Sequence, residues 1–172
     1  MRGLLRLAIL VSLTAGSPAL AQTVLDKVLS TVNGDVITQL DVRQARMLKL
    51  RLVTGPAEAD DEVLRGLENR RLVRAEIAHV ALAAPTSAEI ASRRREWEAS
   101  LGAGADIPGL LDRAGLTESG LVAWLRDDVR IESYLNQRFG GLPAAERSTE
   151  IARYLAMLRE HAGLAKEKHP SS

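Results

Sequence analysis

The stretch Val28–Asp41, VLSTVNGDVITQLD, decides the fold class of this chain. Two segments rich in β-branched residues, Val28–Val32 and Asp35–Thr38, flank the pair Asn33-Gly34. Asn-Gly supplies the two positive-φ residues of a type I′ turn, so we predict a tight β-hairpin here. A two-stranded hairpin is only marginally stable in water, and we therefore expect other elements to cover one of its faces.

Helical patterns occupy the rest of the chain. Thr38 and Asp41 have the spacing of a capping box at the start of a helix, and Thr86 with Glu89 repeats it. Aromatic residues make up only 3% of the sequence, which favours packed helices over a β-sandwich. Apolar residues three or four positions apart predict helices over about 39–52, 59–83, 86–101, 107–114, 117–139 and 144–162. The predicted fold is mainly α, an N-terminal β-hairpin followed by about six helices.

The first 21 residues have the three parts of a secretory signal peptide. Arg2 and Arg6 form a basic start, Leu7–Leu13 is an apolar run, and Ala19-Leu20-Ala21 offers a small-residue cleavage site. An amphipathic N-terminal segment is the less favoured alternative. We predict cleavage after Ala21, a periplasmic location, and no stable membrane insertion of the mature chain. The predicted organisation is a signal peptide over 1–21, a helical domain over 22–139, its closing helix over 140–162 and a polar tail over 163–172.

Composition excludes several classes of function. The formal net charge is +1, which gives no electrostatic argument for nucleic-acid binding, and the absence of cysteine excludes disulfides and thiolate metal sites. Glu76 and His79 form an E-x-x-H, half of a di-iron motif, but the sequence has no second copy. We interpret His79 as an ordinary helix residue. The sequence therefore predicts no metal, no cofactor and no catalytic site, and the chain is expected not to be an enzyme.

Charged and aromatic residues leave two interpretations open. The arginines at 70, 71 and 74 and Arg93–Arg95 have acids close by, which indicates solvated faces with local ion pairs. The alternative is a basic rim for an acidic client or an anionic surface. Asp127-Asp128 is interpreted as solvent-facing charge. Trp97 and Trp124 are interpreted as core anchors, with the alternative that one of them lines a binding groove.

Several short segments, taken in order, resemble the N-terminal domain of the SurA-like family of periplasmic chaperones and their parvulin-linked relatives. The segments are VNGDVIT at 32–38, Leu40-Asp41, the predicted helix over Glu62–Ala83, the Thr86–Glu89 cap, LDRAGLTE at 111–118 and YLNQRF at 134–139. The resemblance covers about 24–139 and implies a helical peptide-binding domain of the SurA and trigger-factor kind. Relatives carry parvulin prolyl-isomerase modules after this region, at the position of Gly140–Pro143. Residues 140–172 are too few for such a module, so we expect no isomerase activity.

The resemblance implies a periplasmic chaperone that binds unfolded polypeptide, including outer-membrane protein clients, and serves outer-membrane biogenesis. The predicted client-binding residues, which also suit a core, are Met47, Leu48, Leu52, Trp97, Trp124 and Tyr134. The alternative is a dedicated assembly partner that binds one protein, by adding a strand to the edge of the hairpin. A general chaperone predicts an exposed apolar groove, and a dedicated partner predicts a polar groove beside a free strand edge. An enzymatic function would need convergent polar side chains in a pocket, and the oligomeric state is left open.

Overall fold

The structure is a computed structural model that describes residues 26–53, 55 and 57–164. A two-stranded antiparallel hairpin is followed by six helices, so the mainly α fold is confirmed. The elements are β1 Val28–Val32, β2 Asp35–Thr38, α1 Gln39–Met47, α2 Asp60–Ile77, α3 Ser87–Leu101, α4 Ile107–Ala114, α5 Glu118–Phe139 and α6 Ala144–His161.

The hairpin forms where the sequence predicts it. Asn33 and Gly34 have φ values of 51° and 88°, as a type I′ turn requires. Val32 pairs with Asp35 next to the turn. Ile37 and its neighbours on the inner face are buried against the helices, so α1 and α2 cover the face that a lone hairpin would expose.

Local capping signals set most helix starts. Both predicted capping boxes, Thr38 with Asp41 and Thr86 with Glu89, are present with side-chain and backbone bonds in both directions. The predicted extension of α1 to residue 52 is wrong, since Lys49 adopts a φ of 47° that is incompatible with a right-handed helix. Helix α2 ends at Ile77 rather than near 83, because residues 78–81 are exposed and lack the packing that would hold another turn.

Helix α2 lies at the centre of the molecule. It contacts α1, α5, α6 and both strands, while α3 packs against α5 and α4 against α1. Leu48, Val63, Val73, Leu121 and Leu125 are among the apolar side chains that these contacts bury almost completely. Because α6 also contacts α5, the last described helix closes over the same core.

Several charged side chains are buried inside this helical core. Glu68 accepts a hydrogen bond from the Ser30 hydroxyl over 2.6 Å and another from Arg159 of α6 over 2.6 Å. Arg70, two residues further along α2, pairs with Asp128 of α5. The interpretation of Arg70 and Asp128 as solvent-facing charges is therefore wrong, since each makes its ion pair across the interface between two helices.

Two of the predicted regions lie at the ends of the chain. Residues 1–25, with the predicted signal peptide and the cleavage site after Ala21, lie outside the described residues, and so do residues 165–172 of the predicted tail. Within 26–164, apart from the two undescribed positions, every helix is too short or too polar to cross a membrane.

Candidate functional site

A cleft runs between α2 and α5 beside the hairpin. Two adjoining cavities, of about 310 Å³ and about 280 Å³, share Arg71, Arg74 and Asp127 in their walls. We call the two together the α2–α5 cleft. The hairpin packs on α2, and its turn and the start of β2 therefore form part of the wall of the cleft.

One end of the α2–α5 cleft, the arginine end, lies beside the hairpin turn. Arg71 Nη1 is 3.4 Å from Asp35 Oδ2, and Arg74 Nε is 3.0 Å from Asp127 Oδ2. Arg130 of α5 also lines this end, and within the described part of the chain it has no carboxylate oxygen within 4.0 Å. This end therefore carries three arginines against two aspartates.

The other end of the cleft is the apolar end. Ile37, Leu67, Leu116 and Trp124 line it, together with the polar residues Asp41, Gln44 and Arg70. The Trp124 ring is half-buried, and its Nε1 is buried without a hydrogen-bond partner among the described residues. The exposed part of the ring is an apolar surface that can contact a side chain of a polypeptide.

The buried ion pair between Arg70 and Asp128 stabilises the part of the cleft wall that contains Trp124. Arg70 donates one hydrogen bond to Asp128 and a second, of 2.7 Å, to the carbonyl oxygen of Trp124. The guanidinium also lies over the Trp124 ring. Burial lowers the pKa of Arg70, and the adjacent Asp128 carboxylate opposes that shift. Arg70 thus links α2 to α5 and fixes the orientation of the tryptophan.

A separate apolar cavity of about 530 Å³ lies at the carboxyl end of α1. Ala45, Leu50, Leu52 and Val63 supply its apolar walls, and charged residues at 46, 49 and 58 surround it. It includes one predicted client-binding residue, Leu52. It does not adjoin the hairpin, since no strand residue contributes to its lining.

The six predicted client-binding residues are not brought together. Leu48, Leu52, Trp97 and Tyr134 are buried in the core, which matches their alternative interpretation as core residues. Trp97 Nε1 donates to the Leu48 carbonyl oxygen over 2.7 Å, and Tyr134 is hydrogen-bonded to Tyr154. Met47 is 43% exposed, and only Trp124 of the six lines the α2–α5 cleft. Client binding by any of them stays a prediction.

Other residues of the cleft could be found only in part from sequence. Arg71 and Arg74 are three apart on α2, as are Asp127 and Arg130 on α5, so each pair shares a helix face. The spacing does not reveal that the two faces meet. That information lies in the tertiary packing of α2 against α5.

The chemistry of the cleft suits binding. Its described lining contains arginine, aspartate, asparagine, glutamine and apolar residues, with no serine, threonine, histidine or lysine to act as a nucleophile or base. Asp35 and Asp127 are paired with arginines, and Asp41 caps α1. Over the described residues, no group of three or more potential ligands is placed to hold a metal ion.

Comparisons of the chain with models of protein families, with curated proteins and with solved structures found no match.

Proposed function

We propose that this protein is a periplasmic chaperone-like protein that binds extended segments of unfolded polypeptide without catalysis. One observation carries the proposal. The hairpin has no further strand neighbour among the described residues, and it lies at the α2–α5 cleft with β2 residues in the wall. The segments of the sequence that resemble the SurA-like family support the same function.

The backbone of β2 offers a row of hydrogen-bonding groups. Val32 and Asp35 flank the two-residue turn, and in such a hairpin the flanking pair exchanges the first cross-strand hydrogen bonds. The next pair, Thr31 with Val36, directs its N–H and C=O groups outward. An extended client segment that pairs with Val36 adds a third strand to the sheet.

Side chains around β2 suit an alternating sequence. Asp35 and Ile37 line the cleft, whereas Val36 points to the opposite face and is 44% exposed. Unfolded outer-membrane strands alternate apolar and polar residues and carry unpaired backbone groups, which makes them prone to aggregate. A strand added to β2 satisfies that backbone and places every second side chain toward the cleft.

A dedicated assembly partner is the second candidate function. It is favoured by the polarity of the arginine end and by the burial of four of the six predicted client-binding residues. Such a protein would use the same strand edge for one specific partner, and it would not prevent the aggregation of unrelated clients.

Light scattering tests the proposal. The purified protein is mixed with a urea-unfolded outer-membrane β-barrel protein, the urea is diluted, and aggregation is followed with time. Suppression near a one-to-one ratio supports chaperone function. No suppression by a protein with a normal helical circular dichroism spectrum overturns it and favours the dedicated partner.

Variants of the hairpin locate the binding edge. Val36→Pro removes the outward N–H of β2, and Val36→Thr keeps that N–H together with a β-branched side chain. Loss of suppression in the proline variant alone supports pairing at β2. Thr31→Pro applies the same change to β1. If Thr31→Pro loses suppression of aggregation while Val36→Pro retains it, the client pairs with the edge of β1 instead.

The periplasmic location has its own test. The gene is expressed with its native N-terminus in a Gram-negative host, and the periplasmic fraction is analysed by intact mass. Cleavage after Ala21 gives a chain that begins at Gln22. An uncleaved chain in the cytoplasm would contradict the location.

A further inference from the structure

We infer that the arginine end of the α2–α5 cleft binds a carboxylate group carried by the client polypeptide. The inference rests on the proposed function and names the class of segment that the cleft takes. An apolar, β-prone segment with an aspartate, a glutamate or a free C-terminus at one end is the expected ligand.

Of the three arginines at the arginine end, Arg130 alone has no ion-pair partner among the described residues. Arg74 is held by Asp127 at 3.0 Å, and Arg71 makes a longer contact of 3.4 Å with Asp35. The Asp35 side chain is 63% exposed, so water and salt screen that pair. Arg130 has no ion-pair partner in the described part of the chain. A single negative charge balances this end.

Apolar groups share the wall with the arginines. Val32 and Ile77 are buried apolar residues, and Ala75 and Ala78 also line this end. Guanidinium groups match the planar, two-oxygen geometry of a carboxylate.

The charge balance selects a carboxylate over a phosphate. A dianionic phosphate would exceed the one unpaired arginine and would face Asp35 and Asp127 in the same cavity. A carboxylate carries one charge and meets Arg130 with Arg71 beside it. The two aspartates repel a single negative charge less than a double one.

The arrangement of the two ends of the cleft determines where the carboxylate and the apolar residues of a bound client segment lie. The arginine end adjoins the turn at Asn33 and Asp35, whereas Ile37 and Trp124 lie at the apolar end. A segment paired with β2 therefore places its carboxylate near the hairpin turn and its apolar residues toward Trp124.

Fluorescence anisotropy with three labelled nonapeptides tests the inference. All three alternate valine and serine and differ only in the terminal residue and in the C-terminal group. The first has a terminal glutamate and an amidated C-terminus. The second and third have glutamine in place of that glutamate, and their C-termini are amidated and free, respectively. We expect the all-amide glutamine peptide to bind about tenfold more weakly than at least one carboxylate peptide. The two carboxylate peptides distinguish a side chain from a chain end as the source.

Matched arginine variants assign the effect to this site. Arg130→Gln should remove the tenfold preference for the carboxylate peptide. Arg126→Gln makes the same charge change on an exposed position of α5 outside the cleft and should retain the preference. A preference that survives Arg130→Gln, or equal binding of all three peptides, overturns the inference and leaves polypeptide binding standing. Failure of every peptide to bind overturns the proposed function as well.

Discussion

The guanidinium carbon of Arg70 lies 3.9 Å from the centre of the Trp124 ring, while the same group is paired with Asp128. One buried cation thus holds together two helices and the aromatic wall of the α2–α5 cleft. A cation over an indole face is attracted by the ring's quadrupole, most strongly where water is excluded. The stability of the α2–α5 interface and the shape of the cleft depend on the same contact.

Removal of Asp128 should therefore destabilise the fold strongly. We expect Asp128→Ala to lower the free energy of unfolding by about 3–5 kcal/mol, because Arg70 is left buried without a counter-charge. Urea unfolding followed by circular dichroism measures the loss. Asp112→Ala, at an exposed position of α4, is the control and should change stability by less than about 0.5 kcal/mol.

A double variant separates charge from packing. Arg70→Met with Asp128→Leu replaces the pair by apolar groups and should recover most of the stability lost in Asp128→Ala. If the double variant is no more stable than Asp128→Ala, unpaired charge is not the cause of the loss.

The fluorescence of Trp124 should report client binding. In Trp97→Phe, Trp124 is the remaining tryptophan, and a bound peptide should shift its emission to shorter wavelength because the half-buried ring loses water. In the converse variant, Trp124→Phe, the reporter is the buried Trp97, and its emission should not respond. A response from Trp97 alone would place the peptide elsewhere.

Tyr154 should make the protein sensitive to alkali. Burial raises the pKa of Tyr154 above its usual value of 10.0, and its hydrogen bond to Tyr134 adds to the shift. The folded state then retains a proton that the unfolded chain releases, so stability is complete below pH 10 and falls as the pH rises beyond it. The midpoint of urea unfolding should drop as the pH rises from 10 to 11, and Tyr154→Phe should show a smaller drop. An equal drop in both proteins would exclude this tyrosine as the source.

The capping box of α3 should contribute measurably to stability. The Thr86 side chain accepts a bond from the Glu89 backbone N–H, so Thr86→Ala should cost about 1 kcal/mol in unfolding free energy. Ser87→Ala, one position later and outside the capping box, is the matched control and should cost less. Chemical denaturation measures both, and equal effects would show that the cap is not responsible.

Turns and helix caps, which depend on residues close together in the sequence, can be predicted from the sequence. Contacts between helices, which depend on tertiary packing, cannot. The turn at Asn33-Gly34 and the two capping boxes follow from local backbone chemistry, and all three are present. Arg70 and Asp128 are 58 positions apart, and their helical spacing is compatible with a solvated face as well as with a buried pair. Sequence patterns do not encode which helix faces meet.

For the predicted client-binding residues too, the sequence shows the type of side chain but not whether it lies in the core or in the cleft. Large apolar and aromatic side chains suit a groove and a core equally, and the packing places Leu48, Leu52, Trp97 and Tyr134 in the core. Trp124 lines the cleft, and the Arg70 guanidinium lies over its ring. Arg130 cannot be recognised as a binding residue from the sequence, since a lone arginine on a helix carries no distinguishing pattern.

Amide hydrogen exchange at Val36 tests the central claim most directly. The purified protein is incubated in deuterated buffer with and without a saturating concentration of the glutamate-terminated valine–serine nonapeptide, and exchange is resolved by residue. Pairing of the peptide with β2 predicts that the Val36 N–H exchanges at least tenfold more slowly in the complex. Unchanged exchange at Val36, under conditions in which anisotropy shows the peptide to be bound, would contradict strand addition at this edge.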